Sequence, residues 1–232
     1  MSNTLELEKI ESYKLSLEKH IPIFLLPLKD FAKQNDVPII SDEVKDFLDI
    51  ILELTRPQIL LEIGTAIGYS ALCMAQHDFV KKVITIENYH ERVLQARFNL
   101  MQYDKYNKID IIEEDADVAL DELYKNECFF DFIFLDSAKS QYINWLPKIK
   151  KILKKDGILI TDNVFNNMET LKSRSELKKR SRSMHDSLKE YLSAIKKDKE
   201  FYSKILNIGD GICYVKKTDY TLFNKEKKDV RR

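Results

Sequence analysis

The spacing of hydrophobic and polar positions changes after Pro57. Before it, apolar side chains recur at helical spacing, and Ser41 is a typical N-cap for the third of these segments. The predicted front helices cover 5–20, 25–33 and 42–52. After Pro57, short apolar runs predicted as strands (59–63, 83–87, 109–112, 132–135 and 157–161) alternate with amphipathic segments predicted as helices (69–75, 92–101, 118–124 and 142–153). This alternation predicts an α/β fold, with a parallel sheet covered by helices on both faces.

The last part of the chain follows a different pattern. An amphipathic segment carries Met184, Leu188 and Ile195 at helical spacing. Two apolar runs, 201–208 and 212–215, then flank Gly209-Asp210-Gly211, and this arrangement predicts a hairpin. We therefore expect an N-terminal helical extension over 1–40, one domain over 41–218 and a polar tail over 219–232, which has almost nothing to bury.

Composition narrows the class of protein. The chain has 232 residues, 44% of them hydrophobic, and its 38 basic and 38 acidic residues give a net charge of zero, as expected for one globular domain. No apolar run reaches the roughly 18 residues of a membrane-spanning helix, and the N-terminus lacks the pattern of a secretory signal. We expect a cytoplasmic protein without a membrane partner. The cysteines, Cys73, Cys128 and Cys213, are far apart and are expected to be ordinary packing residues.

A glycine-bearing turn joins the first predicted strand to its helix. Gly64 and Gly68 permit a tight turn and close approach of a ligand, although a purely structural turn has the same spacing. Glu87 ends the next strand, where a carboxylate can accept both hydroxyls of an adenosine ribose. Asp115 and Ala116 follow the third strand, where an adenine would lie; alternatively, Asp115 caps the next helix.

Oxygen ligands follow two further strands. Asp136 ends the run 132–135, and Asp162 with Asn163 ends the run 157–161. Because the carboxyl ends of parallel strands meet at one edge, these side chains are expected to converge there and to suit Mg²⁺, with Mn²⁺ as the other possible ion. Helix capping is the alternative role for each. Lys139, three residues after Asp136, is a candidate general base, whereas an isolated lysine here would be an ordinary surface residue.

The net charge of the whole chain is zero, but the segment 172–182 is strongly basic. It contains a single acid, Glu176, and the basic residues Lys172, Arg174, Lys178, Lys179, Arg180 and Arg182. Such a cluster can neutralise several phosphates, or it can form a solvated loop.

These motifs resemble the cation-dependent O-methyltransferase family that includes catechol and caffeoyl-CoA O-methyltransferases, from about residue 40 to 216. The resemblance implies a Rossmann-like class I methyltransferase fold with a seven-stranded, mostly parallel sheet ending in an antiparallel hairpin, S-adenosylmethionine as donor, and usually a homodimer. It assigns the cofactor to Glu62, Gly64, Gly68, Tyr69, Ser70, Glu87, Asp115, Ala116 and Asp136. It assigns the metal to Asp136, Asp162 and Asn163, and catalysis to Lys139 and Asp136.

Within that family the chain is most similar to bacterial tRNA 5-hydroxyuridine methyltransferases. The likeness lies in the 64–70 turn, in the front segment 35–39 and in the basic segment after the Asp-Asn pair. It implies methylation of 5-hydroxyuridine at the wobble position, with Lys172, Arg174, Lys178, Lys179, Arg180 and Arg182 holding the tRNA anticodon loop. An O-methyltransferase of a small catechol or phenol, including a caffeoyl-CoA-like substrate, is the alternative, and a protein that binds RNA without turnover is a third possibility.

Overall fold

The structure is a computed structural model that describes residues 22–218, together with six helical positions at 9–10, 12–13 and 16–17. The chain divides into two compact units, Met1–Pro38 and Ile39–Arg232. The first unit contains α1 (Leu25–Gln34), where the front helix 25–33 was predicted. Most of the predicted helix over 5–20 and all of the polar tail lie outside the described residues.

The second unit follows the predicted alternation closely. Its elements are α2 (Asp42–Thr55), β1 (Ile59–Ile63), α3 (Tyr69–Ala75), β2 (Lys82–Glu87), α4 (His90–Tyr103), β3 (Ile109–Glu113), α5 (Ala116–Lys125), β4 (Phe130–Leu135), α6 (Tyr142–Ile152), β5 (Leu153–Thr161), α7 (Arg182–Lys197), β6 (Phe201–Leu206) and β7 (Ile212–Lys217). Short 3₁₀ turns cover Lys139–Gln141, Glu169–Leu171, Arg174–Glu176 and Lys179–Ser181. As predicted, Ser41 caps α2, and its hydroxyl accepts a hydrogen bond from Val44 N at 3.4 Å.

The strands form one seven-stranded sheet in the order β3-β2-β1-β4-β5-β7-β6. The first five pair in parallel, whereas β7 runs antiparallel to both β5 and β6. The predicted parallel sheet and C-terminal hairpin are therefore confirmed. Because β1 is central and the chain returns across it from β3 to β4, right-handed crossovers place α3 and α4 on one face and α5 and α6 on the other.

The core lies between these helices and the middle strands. Phe132, Ile133, Phe134 and Leu135 of the inner strand β4 are fully buried, as expected for a strand covered on both faces. On one face α6 packs against both α5 and α7, and Trp145, Ile149 and Tyr191 belong to that core cluster. This packing fixes the positions of the strand ends, where the polar residues lie.

Among the described residues, no helix is both long and apolar enough to cross a membrane.

Candidate active site at the carboxyl edge of the sheet

The ends of β1, β4 and β5 lie side by side at the carboxyl edge. Asp136 N donates to Ile63 O at 3.0 Å, and Asp162 N donates to Leu135 O at 3.0 Å. The residue after β1, Gly64, has a φ of +105°, and a Cβ there would lie 2.0 Å from the carbonyl oxygen of Asp136. Only glycine permits this approach, so the glycine turn and the Asp136 strand end meet directly.

Two carboxylates, those of the buried Asp162 and the half-buried Asp136, lie close enough at this edge for their charges to interact. Asp162 is only 1% exposed, and burial together with the charge of Asp136 raises its pKa to about 7. Burial also raises the pKa of Asp136, which Lys139 partly offsets. Among the described residues, no donor reaches the side chain of Asp136, whereas Asp162 Oδ1 accepts a hydrogen bond from Asn163 N at 2.6 Å. Desolvation and mutual repulsion therefore oppose the ionisation of both carboxylates.

This donor set fits a hard divalent cation. Two carboxylates and the amide oxygen of Asn163 are the ligand types that Mg²⁺ prefers, and Mg²⁺ commonly takes only one or two carboxylates while keeping several waters. In the described part of the chain, no group of three or more His, Cys, Asp or Glu side chains forms a larger metal cluster. A cation between the two aspartates would also remove the repulsion that raises the pKa of Asp162.

Lys139 lies against this cluster at the start of a 3₁₀ turn, where its Nζ donates to Asn163 Oδ1 at 3.3 Å. The chain between Asp136 and Lys139 is held by a buried tyrosine. Tyr142 Oη accepts from Ser137 N at 2.8 Å and donates to Ser137 O at 3.0 Å. The tyrosine thus fixes the backbone between the candidate metal ligand and the candidate base.

The loop after Asp162 is held by the hairpin turn. Phe165 N donates to Asp210 O at 2.9 Å, and Asn167 N donates to Asp210 Oδ2 at 2.7 Å. Asn163, Asn167 and two further residues of this loop have left-handed φ angles between 47° and 65°. Such conformations persist only where the surroundings enforce them. The hairpin therefore positions Asn163 through this loop.

The second strand end is joined to the glycine turn by Glu87. Its Oε2 accepts from Ala66 N at 3.1 Å, and its Oε1 accepts from the backbone N–H groups of residues 88 and 89. At the next strand end, Asp115 caps α5, and its side chain accepts from Asp117 N at 2.8 Å. The capping geometry considered for Asp115 is thus present, and Ala116 is the first residue of that helix.

Glu62 lies inside the protein beneath the glycine turn. Its side chain is fully buried, Ser70 donates to Oε1, and Thr85 Oγ1 lies 2.5 Å from Oε2. Thr85 Oγ1 in turn lies 2.6 Å from Thr65 Oγ1. Burial raises the pKa of Glu62 to about 8, with a smaller contribution from the charges of neighbouring carboxylates and opposed by its hydrogen bonds. Tyr69 is likewise buried. These predicted cofactor residues support the turn from within.

The basic segment is folded into 3₁₀ turns along α7. Arg174 Nε lies 2.7 Å from Asp186 Oδ2, and Arg182 Nε donates to Leu177 O at 3.2 Å. Among the described residues, the remaining four basic side chains, those of Lys172, Lys178, Lys179 and Arg180, have no carboxylate within salt-bridge distance and are exposed. The six predicted cations therefore occupy different environments.

Three residues that organise the site were not singled out as site residues from the sequence. They are Thr85, which donates to Glu62 from the neighbouring strand, the buried His185, which contacts Lys172 O, and Tyr142, which bonds Ser137 five residues away. Nothing in the sequence around these residues names the partner of each hydrogen bond.

Comparisons with known proteins identify the family of this chain. Residues 16–218 match the model of a family described as O-methyltransferase. The caffeoyl-CoA O-methyltransferase of Medicago sativa is 30% identical over 181 residues, which is 74% of this chain and 72% of that protein. Tapetum-specific methyltransferase 1 of Arabidopsis thaliana is 28% identical over 175 residues, 72% of each chain.

Solved structures share the whole architecture. A Staphylococcus aureus protein that carries the name of a caffeoyl-CoA O-methyltransferase has a TM-score of 0.79 at 29% identity, over 89% of this chain and 98% of that one. The Bacillus cereus O-methyltransferase in complex with SAH has a TM-score of 0.77 over 90% and 97%, and at 20% identity it shows the fold alone. The resemblance to the O-methyltransferase family is confirmed, and the chain belongs to that family.

Proposed function

We propose that this O-methyltransferase uses S-adenosylmethionine and Mg²⁺, or Mn²⁺, to convert 5-hydroxyuridine at the wobble position of tRNA to 5-methoxyuridine. The observation that carries the proposal is the position of the basic segment. It begins nine residues after Asn163, and it presents cations that lack carboxylate partners within the described part of the chain. A small phenol needs no such surface, whereas an anticodon arm brings several phosphates to it.

Family membership and the geometry of the strand ends support the methyl donor. S-adenosylmethionine supplies an electrophilic methyl group on a sulfonium. Gly64 and Gly68 give the turn its positive φ angles, Glu87 stands at the end of β2 for the ribose hydroxyls, and Asp115 with Ala116 stands beyond β3 for the adenine. Glu62, Tyr69 and Ser70 would act from inside, by holding the turn in shape.

Asp136, Asp162 and Asn163 would hold the metal ion. When bound, such an ion is a Lewis acid that favours the ionised form of an acceptor hydroxyl. The O5 and O4 atoms of 5-hydroxyuracil are adjacent oxygens, as in a catechol, and both acceptors therefore offer the same pair of hard donors.

Lys139 is the candidate proton acceptor, since its Nζ lies beside the three ligand residues. The acceptor hydroxyl gives its proton to the neutral amine, the oxygen forms the new bond to the methyl carbon, and the electron pair of the broken C–S bond stays on sulfur. Charge and atoms balance, with S-adenosylhomocysteine and the methyl ether as products. Tyr142 holds the backbone on which Lys139 and Asp136 are placed.

Methylation of tRNA also requires the target base to leave its stack. A wobble base lies in a single-stranded loop, where extrusion costs less than it does in a duplex. Contacts to phosphates would keep the loop in register while the base enters the site.

The second candidate is methylation of a small catechol or phenol, including a caffeoyl-CoA-like substrate. It is favoured by the names of the curated relatives, several of which are caffeoyl-CoA O-methyltransferases. The phosphates of coenzyme A would also suit a basic surface. The two functions share all the chemistry at the strand ends and differ only in what carries the acceptor oxygen.

Transfer of a labelled methyl group separates these functions. Purified protein would receive S-adenosylmethionine labelled on the methyl, with Mg²⁺ or with a chelator, and one of three acceptors: tRNA carrying 5-hydroxyuridine, caffeoyl-CoA or free catechol. We expect label at the wobble nucleoside, lost with the chelator and absent from tRNA with unmodified uridine. Label in caffeoyl-CoA or catechol alone would refute the tRNA function, and transfer that survives chelation would refute the metal.

The proposal includes a homodimer in the cytoplasm, where tRNA is modified. Multi-angle light scattering would give about twice the chain mass of 27.4 kDa for the dimer. A mass equal to one chain at micromolar concentration would contradict it.

A further inference from the structure

We infer that only part of the basic segment contacts RNA. The contacting part, called here the cation ridge, is Lys178, Lys179 and Arg180. Arg174, Arg182 and His185 form a frame that holds the ridge in place, and Lys172 is not part of the ridge because Glu176 lies close enough for the two charges to interact. The inference rests on the proposed function, because it names the surface that would hold the phosphates of the anticodon arm. It assigns different tasks to residues of the same charge.

The first part of the frame ties Arg174 to α7. Its Nε donates to Asp186 Oδ2 at 2.7 Å, which leaves the arginine engaged and partly neutralised. The turn that carries Arg174 is closed by a capping box, in which Ser173 N and Oγ both donate to Glu176 Oε2, at 2.7 and 2.6 Å. Glu176 and Asp186 are therefore both engaged in hydrogen bonds within this segment and to α7.

The second part of the frame holds the backbone next to the ridge. Leu177 is only 5% exposed and anchors the segment in the apolar interior, while Arg182 Nε donates to Leu177 O. Ser181 N closes the following turn on Lys178 O at 3.0 Å. The three ridge residues are thus carried between a buried leucine and the start of α7, in a turn whose backbone is fixed at both ends.

The third part of the frame is His185, which is 3% exposed. Its Nε2 lies 3.1 Å from Lys172 O and its Nδ1 lies 3.1 Å from Asp186 Oδ1. Lys189 Nζ donates to the same carbonyl at 3.3 Å. Because α7 also packs against the turn of Lys139, one helix connects the basic segment to the candidate active site.

The side chains of the cation ridge are exposed and, unlike those of the frame, unpaired among the described residues. All three side chains are exposed, and among the described residues no carboxylate lies within salt-bridge distance of them. Three adjacent cations with no carboxylate in salt-bridge range among the described residues repel one another, and a polyanion relieves that repulsion. Because the frame already orders the backbone, binding would cost less conformational entropy than closure of a mobile loop.

The test measures the salt dependence of tRNA binding. Fluorescence anisotropy with the 5-hydroxyuridine-bearing anticodon arm, at several salt concentrations, would be run on the wild type and on the triple variant Lys178→Gln, Lys179→Gln and Arg180→Gln. A matched control replaces Lys196, Lys197 and Lys199 with Gln, at the other end of α7. Each phosphate contact to a single strand contributes about 0.7 to the slope of log K against log salt, so the ridge variant should lose about 2 from the slope and bind about 100-fold more weakly at 0.1 M salt.

Arg174→Gln gives the sharper comparison, because it removes the same charge from the frame. We expect its slope to equal that of the wild type, and its melting temperature to fall. A slope reduced by about 0.7 in Arg174→Gln, or a ridge variant that behaves like the Lys196/Lys197/Lys199 control, would overturn the inference. If the wild type binds and methylates the RNA while the ridge variant is unchanged, the inference alone fails; if the wild type transfers no methyl to the RNA, the proposed function fails first.

Discussion

Replacing Glu62 with Gln should stabilise the protein more as the pH rises. In the folded state burial raises the pKa of Glu62 to about 8, from an ordinary value of 4.5. Glutamine resembles the protonated acid in shape and hydrogen bonding. Its carbonyl can accept from Ser70, and its amide can donate to Thr85, which is then free to donate to Thr65.

The expected magnitude follows from linkage. Between pH 4.5 and 8 the folded state keeps a proton on Glu62 that the unfolded state has released, so the free energy of unfolding falls as pH rises through this window. The two pKa values differ by about 3.5, which corresponds to about 5 kcal/mol over the window, or about 3 kcal/mol at pH 7. Glutamine has no proton to lose, and the variant should escape this decline.

Urea unfolding at pH 5, 6, 7 and 8 would measure the effect as a difference between variant and wild type. The control is Glu122→Gln on the exposed face of α5, whose difference from the wild type should stay constant with pH. If the Glu62→Gln difference also stayed constant, or if the variant lost stability towards pH 8, the burial of a protonated carboxyl at this position would be refuted.

Three further predictions concern the glycine turn, the hydrogen bonds of Tyr142 and the ion pairs of His77. Gly64→Ala should destabilise the fold by about 3 kcal/mol or more and abolish turnover, because its Cβ meets the Asp136 carbonyl. Gly68→Ala, whose Cβ lies 3.4 Å from its nearest neighbour, should cost only about 1 kcal/mol. Thermal unfolding and methyl-transfer assays of both variants would compare the two costs. Tyr142→Phe should cost about 2 kcal/mol and lower kcat with cofactor affinity retained, as calorimetry and steady-state kinetics would show. Burial lowers the pKa of His77, but two flanking carboxylates raise it by more, so that the pKa lies above its ordinary value. His77→Gln should therefore lose about 1 kcal/mol of stability below pH 6.5, and progressively less as pH rises through the raised pKa. Urea unfolding at pH 5.5 and 9 would measure this difference.

Most of the fold could be predicted because its signals are local. The strand 59–63 and the helix 69–75 have the predicted bounds, since each is a short apolar or amphipathic run that begins shortly after a proline or glycine residue. The carboxyl edge followed from topology, because any acid that ends a parallel strand must lie there. The convergence of Asp136, Asp162 and Asn163 therefore needed no contact information.

The parts that could not be predicted are contacts between distant segments. The sequence shows six similar cations after Asn163, but nothing local says that Arg174 pairs with Asp186 while Lys179 has no salt bridge to any described residue. Likewise Glu62 lies one residue before the end of β1 and Glu87 lies at the end of β2, yet Glu62 is enclosed by hydroxyls and Glu87 binds the backbone of the glycine turn. Such differences depend on which helix covers which strand end, and that is a property of the packed structure.

The geometry of the strand ends predicts that binding of the donor and binding of the proposed metal ion are coupled. Gly64 touches the backbone of Asp136, and Asp136 N donates to the carbonyl of the residue before Gly64. A ligand that shifts the glycine turn must therefore shift the carboxylate that faces Asp162, and a cation drawn between the two aspartates must in turn hold the glycine turn. By thermodynamic reciprocity, the factor by which one ligand changes the affinity for the other applies equally in the reverse direction. Coupling of this kind would make the order of binding matter, and it would arise from one missing side chain, at a position where any Cβ would lie 2.0 Å from a backbone oxygen.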